Sequence, residues 1–507
     1  MELPFVEQAL KNGDRKALTD LKGAYTYHYL LQASASLAAH LLNGEADLAG
    51  ARVTFMVTPS MNFVSTLWAI WRAGGCAVPL HVKYPAASVK YVLKDTDAQI
   101  IVVDRSYEEP LKPIAEELGI RLINIEDLFE TKATCDLPVV EVDRNALIIY
   151  TSGTTGKPKG VISTHQIIQA QITTLIDAWK WEPSDYILNV LPLHHVHGLV
   201  NALLCPLWVG ACCELHSEYE TDEIWSDFEG GRITVFMAVP TIYFKLLADY
   251  DEQEEYIQKR RKEALSKFRL MVSGSAALPQ SVFERWKAIS GYSLLERYGM
   301  TEIGMALSNP YEGERKCGTV GQALPGVSVR LVDETNQTLI ETDGIPGEIQ
   351  VKSASVFKGY WNRIPETAAA FTAEGWFRTG DIAELENGYY HILGRLSTDI
   401  IKSGGYKISA LEIEEILREH PNVIDCAVVG IPDEEWGEVI AAAVVLSSEI
   451  EGELKTVLTT WIRELLPPYK VPRLWTELKV LPRNTLGKVT KMVLKENFLQ
   501  DEISNEV

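Results

Sequence analysis

The chain has 507 residues, 46% hydrophobic and 23% charged, an ordinary globular composition with material for more than one core; a wholly disordered chain is excluded. Forty-eight Lys and Arg against 69 Asp and Glu leave a formal charge of −21, which argues against a dedicated nucleic-acid or anionic-membrane binder but leaves room for a small basic site. Seven cysteines, at 76, 135, 205, 212, 213, 317 and 426, are an odd number without a CxxC pair, so a reducing compartment is expected rather than a disulfide framework.

The N-terminal stretch MELPFVEQALKNGDRK has neither the basic-then-apolar order of a signal peptide nor the acid-poor composition of a transit peptide. Apolar runs such as ITVFMAVPTIYF stop short of the roughly 18 residues a membrane span needs. The expectation is a soluble cytoplasmic protein with no membrane span; organelle residence and oligomeric state stay open. Residues 25–42 read as a helix, followed by a strand at VTFMVTP (53–59), a helix through FVSTLWAIWRAG and a strand at CAVPL (76–80). A helix around 86–95 leads to the strand AQIIVVD (98–104), and the pattern continues with ALIIY (146–150), YILNVLP (186–192), ITVFMAVP (233–240) and FRLMVSG (268–274). Short β-branched runs separated by helices are the product of parallel sheets covered by helices, with ligand-facing loops at the strand ends.

From about residue 325 the texture changes to short strands and tight Gly turns, as in GEIQVKS and FRTGDIAELENGYYHILG. After GRLSTDIIKSGGYKIS come the helix ALEIEEILREH (410–420), the runs NVIDCAVVGIP and EVIAAAVVLS, and the helix LKTVLTTWIRELL. The reading is therefore an α/β protein. Residues 1–395 form a large region of helix-covered, mostly parallel sheets, including a β-rich subdomain at about 325–395, and residues 396–507 form a C-terminal α+β domain.

Directly after ALIIY stands TSGTTGKPKG (151–160), ten residues with three Gly, two Lys and four Ser or Thr. Gly153, Gly156 and Gly160 permit close backbone approach, Thr151, Ser152, Thr154 and Thr155 supply hydroxyls, and Lys157 and Lys159 supply charge, a set that can wrap phosphate. The spacing is not that of a Walker A loop, because Gly153 and Gly156 are too close and no Ser or Thr follows Lys157. Read by composition alone, an exposed flexible loop is the lesser alternative, and the position at the end of a buried strand weakens it further.

The string YTSGTTGKPKGV resembles the first signature of the adenylate-forming superfamily of acyl-CoA synthetases, luciferases and peptide-synthetase adenylation domains. ERYGMTE (296–302), WFRTGD (376–381), GR at 394–395 and PRNTLGKV (482–489) resemble its later signatures, in family order and across essentially the whole chain. The resemblance implies two half-reactions. A carboxylate attacks the α-phosphorus of ATP, releasing pyrophosphate, and the thiol of coenzyme A then displaces AMP from the acyl-adenylate.

By the family pattern, the loop from Thr151 through Ser152, Gly153, Thr154, Thr155 and Gly156 to Lys159 holds the β- and γ-phosphates. Thr301 contacts the α-phosphate, and Glu302 with Thr155 holds Mg²⁺, an oxygen-seeking cation. Tyr298 stacks beside adenine, GSAA (274–277) with Ser275 lines the nucleotide and acyl site, and Asp381 accepts from both ribose hydroxyls with Arg395 as a neighbouring donor. Alone, Asp381 reads as a turn residue, Glu302 as a helix cap and Lys488 as a surface lysine. In the family, Lys488 touches the substrate carboxylate and the α-phosphate. A mobile C-terminal domain carries it away after adenylation and brings KSGG (402–405) towards the thiol. The hinge falls on Ser397 or Asp399, because the segment after Arg395 is one residue longer than the commonest pattern. With Thr155, Glu302, Asp381, Arg395 and Lys488 all present, a degenerate binding protein on this fold is not expected.

Arg297 is unusual, since many acyl-CoA synthetases have a small residue at that place. Buried, a guanidinium needs an anion, and a dicarboxylate offers a distal one; otherwise the side chain turns outward or pairs with Glu296 or another acid. In LPLHHVHGLVNAL (191–203), His194, His195 and His197 lack the neighbours of a zinc site. His195 matches the family histidine at the edge of the acyl pocket. HHVHGLVNAL, ERYGMTE and GTVGQALPGV together look like the malonyl-CoA synthetase branch. The expectation is ATP-dependent ligation of malonate, and of methylmalonate with its one extra methyl, to coenzyme A, since one carbon is worth only about 1–3 kcal/mol of discrimination. The rivals are a ligase for another small, aliphatic or aromatic acid, and an enzyme loading a carrier protein, although no carrier-like segment follows residue 490.

Overall fold

The computed structural model describes residues 2–505 except 131–132, 152–157, 334, 336, 405, 449–451 and 484–488, with side chains described as far as residue 499. The chain divides into two compact units, Met1–Val329 with Val351–Phe377, and Arg330–Gln350 with Arg378–Val507.

The first unit carries two mixed, largely parallel sheets, one antiparallel at both margins and the other at one margin only. Among the described residues, one sheet has nine strands in the order Gln322–Ala323, Gly304–Ser308, Leu295–Met300, Leu270–Ser273, Val235–Ala238, Tyr186–Asn189, Cys212–Leu215, Lys16–Asp20 and Gly23–Thr26. The run from Leu295–Met300 to Lys16–Asp20 is parallel throughout. The other sheet has seven strands, Gly359–Tyr360, Lys159–Thr164, Asn145–Thr151, Cys76–Pro79, Arg52–Met56, Ile100–Val103 and Arg121–Asn124, of which the last five are parallel. The apolar runs read as strands are these strands, and they are uninterrupted because helices bury them. The helix expected at 25–42 spans Tyr27–Leu42: Thr26 ends the preceding strand and caps the helix, its side chain accepting from Tyr29 N at 3.2 Å.

Beneath the nine-stranded sheet Phe228, Phe236, Tyr243 and Trp286 meet largely edge to face, each no more than 1% exposed. Among the described residues no helix is long and apolar enough to cross a membrane.

The second unit is smaller and α+β. Its first sheet orders Ser328–Val332, Gly347–Lys352, Phe377–Glu386 and Tyr389–Arg395. Its second is built on a long hairpin, Val423–Asp433 against Gly437–Leu446. Both hairpin faces are buried, which is why CAVVGI and VIAAAVV show no polar alternation. Val428, Ile440, Ala442 and Val444 pack under the helices Ala410–Arg418 and Leu454–Leu465, while Val429, Ile431, Ala441 and Ala443 pack under Leu494 and Phe498. The whole is a large α/β region followed by a smaller α+β region. Truncating the fully buried Trp286 to Ala is expected to cost about 3–5 kcal/mol of stability, readable as a lower urea midpoint of the full-length protein.

Candidate active site

Leu295–Met300 is the last parallel strand of its sheet, lying beside Leu270–Ser273 and turning back tightly into Gly304–Ser308. Successive side chains on a strand face opposite ways, and this separates Glu296 from Arg297. Glu296 Oε1 accepts from Leu278 N at 3.2 Å. Arg297 instead lies against Gly274 and Ser275. A Cβ at position 274 would stand 2.5 Å from the Arg297 guanidinium carbon, so glycine there makes room for the fork. Arg297 is 4% exposed, makes a long 3.4 Å contact from Nη2 to Ser275 Oγ, and leaves Nε without a partner. No ion pair to Arg297 occurs among the described residues. Burial pushes its pKa down to about 10, with Glu296 acting in the opposite sense, so the side chain is a cation at neutral pH.

Ser275 holds a left-handed backbone, φ +72°, and its Oγ lies 3.2 Å from His197 Nδ1. A serine in that region carries strain and is held there by its surroundings. His197 opens a π-helix, His197–Leu204, tied to the end of the strand Tyr186–Asn189 by Asn189 Nδ2 donating to Gly198 O at 3.1 Å. Wide π-turns occur mostly at functional places. Burial first, then the charges of Arg297 and His195, keep His197 neutral, far below the usual imidazole range. Thus the histidine that reaches Ser275 is His197. His195 packs its ring on His194 at 4.0 Å, and His194 in turn meets His81 at 4.5 Å. The sequence reading chose His195 by family position; the π-turn adds His197 as a ring in contact with Ser275.

On the seven-stranded sheet, Thr151 pairs with Lys159 where Asn145–Thr151 and Lys159–Thr164 run antiparallel. Ser152, Gly153, Thr154, Thr155 and Gly156 lie outside the described residues. Both roots of that stretch are fixed: Tyr150 OH donates to Asp95 Oδ2 at 2.6 Å, and Tyr91 OH donates to Pro158 O at 2.8 Å. Lys159 Nζ sits 5.3 Å from the centre of the Tyr360 ring, and Tyr360 OH donates to Glu302 Oε1 at 3.0 Å. Glu302 is 6% exposed, directly after Thr301 in the turn beyond Met300; Tyr298 is half-buried on the same strand. Tyr360 therefore links Lys159 to Glu302. Nothing in FKGYWN marks it, and it arrives only because Gly359–Tyr360 pairs beside Ile162 and Val161. Each carboxylate oxygen has more than one lone pair, so Glu302 fits as an oxygen ligand for Mg²⁺ while keeping the Tyr360 bond.

In the second unit Asp381 and Arg395 are opposed across an antiparallel pair, with Arg395 Nε donating to Asp381 Oδ1 at 2.9 Å. Asp381 is 8% exposed. Ser397 is exposed, whereas Asp399 Oδ2 accepts from Arg395 N at 3.1 Å and its Oδ1 pairs with Lys491 at 2.7 Å. Lys488 lies outside the described residues.

Comparison with known proteins agrees along the chain. The AMP-binding enzyme family matches residues 5–361, and the AMP-binding enzyme C-terminal domain matches 412–488. The mitochondrial malonate–CoA ligase of Homo sapiens is 45% identical, over 98% of this chain and 92% of that protein. ATP-bound MatB from Rhodopseudomonas palustris is 32% identical with a TM-score of 0.88, covering 98% of this chain and 99% of that one. A malonyl-CoA ligase in ternary product complex with methylmalonyl-CoA and AMP is 35% identical with a TM-score of 0.70, over 95% and 100% of the two chains. The chain belongs to the AMP-binding enzymes, as an AMP-forming acid–thiol ligase of small carboxylic acids closely related to the malonate–CoA ligases.

Proposed function

We propose that the protein ligates malonate, and also methylmalonate, to coenzyme A through an acyl-adenylate, giving the acyl-CoA, AMP and pyrophosphate. One observation carries the choice of acid: a cation 4% exposed, with an unpartnered Nε and no ion pair among the described residues. A monoacid leaves that charge uncompensated, whereas the distal carboxylate of a short dicarboxylate accepts from its planar fork. Ser275 Oγ and the neutral His197 ring add uncharged polar contacts beside it. Neutrality matters, since the cation and the acid's second carboxylate then pair one to one.

The first step brings two anions together. The carboxylate oxygen attacks the α-phosphorus, the bond to the β-phosphate oxygen breaks, and pyrophosphate leaves. Thr151 to Gly156 with Lys159 hold the departing phosphates, Thr301 meets the α-phosphate, and Tyr298 stacks on adenine. Asp381 takes the ribose hydroxyls, its carboxylate oriented by Arg395. Glu302, with Thr155, would hold Mg²⁺, which when bound offsets phosphate charge. Lys488, on a mobile C-terminal domain of residues 396–507, orients the attacking carboxylate. In the second step the thiolate of coenzyme A attacks the acyl carbon and AMP leaves. His195 stands at the edge of the acid site.

Removal of the guanidinium in Arg297→Ala is expected to cost roughly 2–5 kcal/mol in kcat/KM for malonate, with acetate changing by less than about tenfold. AMP release over malonate, methylmalonate, succinate, acetate and an aromatic acid checks this, and retained malonate preference in the variant removes the assignment. Lys488→Ala is expected to slow adenylation about 100- to 1000-fold while sparing thioester formation from supplied malonyl-adenylate. Equal loss in both half-reactions contradicts the role given to Lys488.

A further inference from the structure

The helix Lys491–Asn505 starts three residues after Lys488, and its first side chain is enclosed, 12% exposed. Lys491 Nζ lies 2.7 Å from Asp399 Oδ1 and 2.8 Å from Glu414 Oε1. Burial opposes the ammonium charge, but Glu414 and Asp399 outweigh it and hold the pKa above the usual lysine range. Both carboxylates are committed on their other sides as well. Glu414, 3% exposed, accepts from Val428 N at 2.8 Å and from Arg418 Nη2 at 3.1 Å.

Asp399 is fixed more firmly still. Its Oδ2 accepts from Arg395 N, its own N donates to Arg395 O at 2.8 Å, and its O accepts from Ala410 N at 2.8 Å. Gly394, at φ +132°, packs so closely that a Cβ there would stand 2.5 Å from Asp399 Cβ. The stretch before Lys491 is also closed at its base. Arg483 and Val489 form an antiparallel bridge, Thr490 N donates to Pro482 O at 2.8 Å, and Arg483 Nη2 meets Asp425 Oδ2 at 2.5 Å.

We propose that Lys491 is a positioning residue for the adenylation half-reaction: through Asp399 and Glu414 it ties the root of the segment bearing Lys488 to the turn that orients Arg395 and Asp381. The inference rests on the reading of Lys488 as the lysine of that step. One cation stands between the buried Glu414 and the half-buried Asp399. Without it they repel across the gap, the start of the helix shifts, and the segment ahead of it shifts too. A displacement of about 1 Å in a group that must meet a reacting centre is enough to cost about 100-fold in rate. In this arrangement Asp399 is an anchor, and the freedom to turn is left to Ser397, which is exposed and makes no side-chain hydrogen bond among the described residues.

The test uses the full-length protein with Lys491→Met and Lys491→Arg. Malonate-dependent exchange of pyrophosphate into ATP reads the first half-reaction, and thioester formation from supplied malonyl-adenylate reads the second. Lys491→Met is expected to lower the exchange kcat about 100-fold, with the ATP KM and the second half-reaction each within about threefold of the parent, and Lys491→Arg to recover most of the exchange. Equal loss in both half-reactions, or unchanged exchange in a folded Lys491→Met protein, overturns the proposal. If Lys491→Met does not fold, Asp399→Asn is read in the same two assays, and loss confined to exchange supports the tie while equal loss overturns it. Lys488→Ala is run beside them. If it keeps exchange, the reading of Lys488 falls and this inference with it; if it abolishes exchange while Lys491→Met does not, only this inference falls.

Discussion

A guanidinium enclosed by protein, with no ion pair among the described residues, is the constraint on which the proposed acid site depends. Taking a charged group out of water costs several kcal/mol even after relaxation, so Arg297 is tolerable only where something compensates. Glu296, its neighbour in sequence, is directed to the opposite face and bonds Leu278 N. Gly274 makes room for the fork, the strained Ser275 presents its hydroxyl, and His197 stays uncharged beside them. Each feature is costly or unusual alone, and together they fit the anion site proposed above.

The nucleotide side follows a different logic. The residues proposed to touch phosphate sit on or between strand ends whose roots are pinned: Tyr150 to Asp95, Tyr91 to Pro158, Thr151 opposite Lys159. Fixed flanking strands reduce the ordering left to be done when a ligand binds. The second unit repeats the device, with Arg483 and Lys491 gripping either side of the stretch that carries Lys488.

Much of this was legible in the residues. Strands such as ALIIY and ITVFMAVP announce themselves because they are buried on both faces, and the long hairpin of the second unit does so for the same reason. Arg297 drew notice because an arginine is costly where a small residue is usual. What stayed hidden depends on pairings distant in sequence. His197 meets Ser275 across 78 residues from the start of the π-turn, and Tyr360 reaches Glu302 across 58. Lys491 meets Asp399 across 92, and no local spacing encodes that.

The Tyr360 ring has a consequence of its own. Its face attracts the Lys159 ammonium while its hydroxyl donates to the Glu302 carboxylate, so one uncharged side chain serves two groups of opposite charge. The ring thereby couples a cation of one sheet to a carboxylate beside the other, and the groups proposed for phosphate and for Mg²⁺ share one aromatic support.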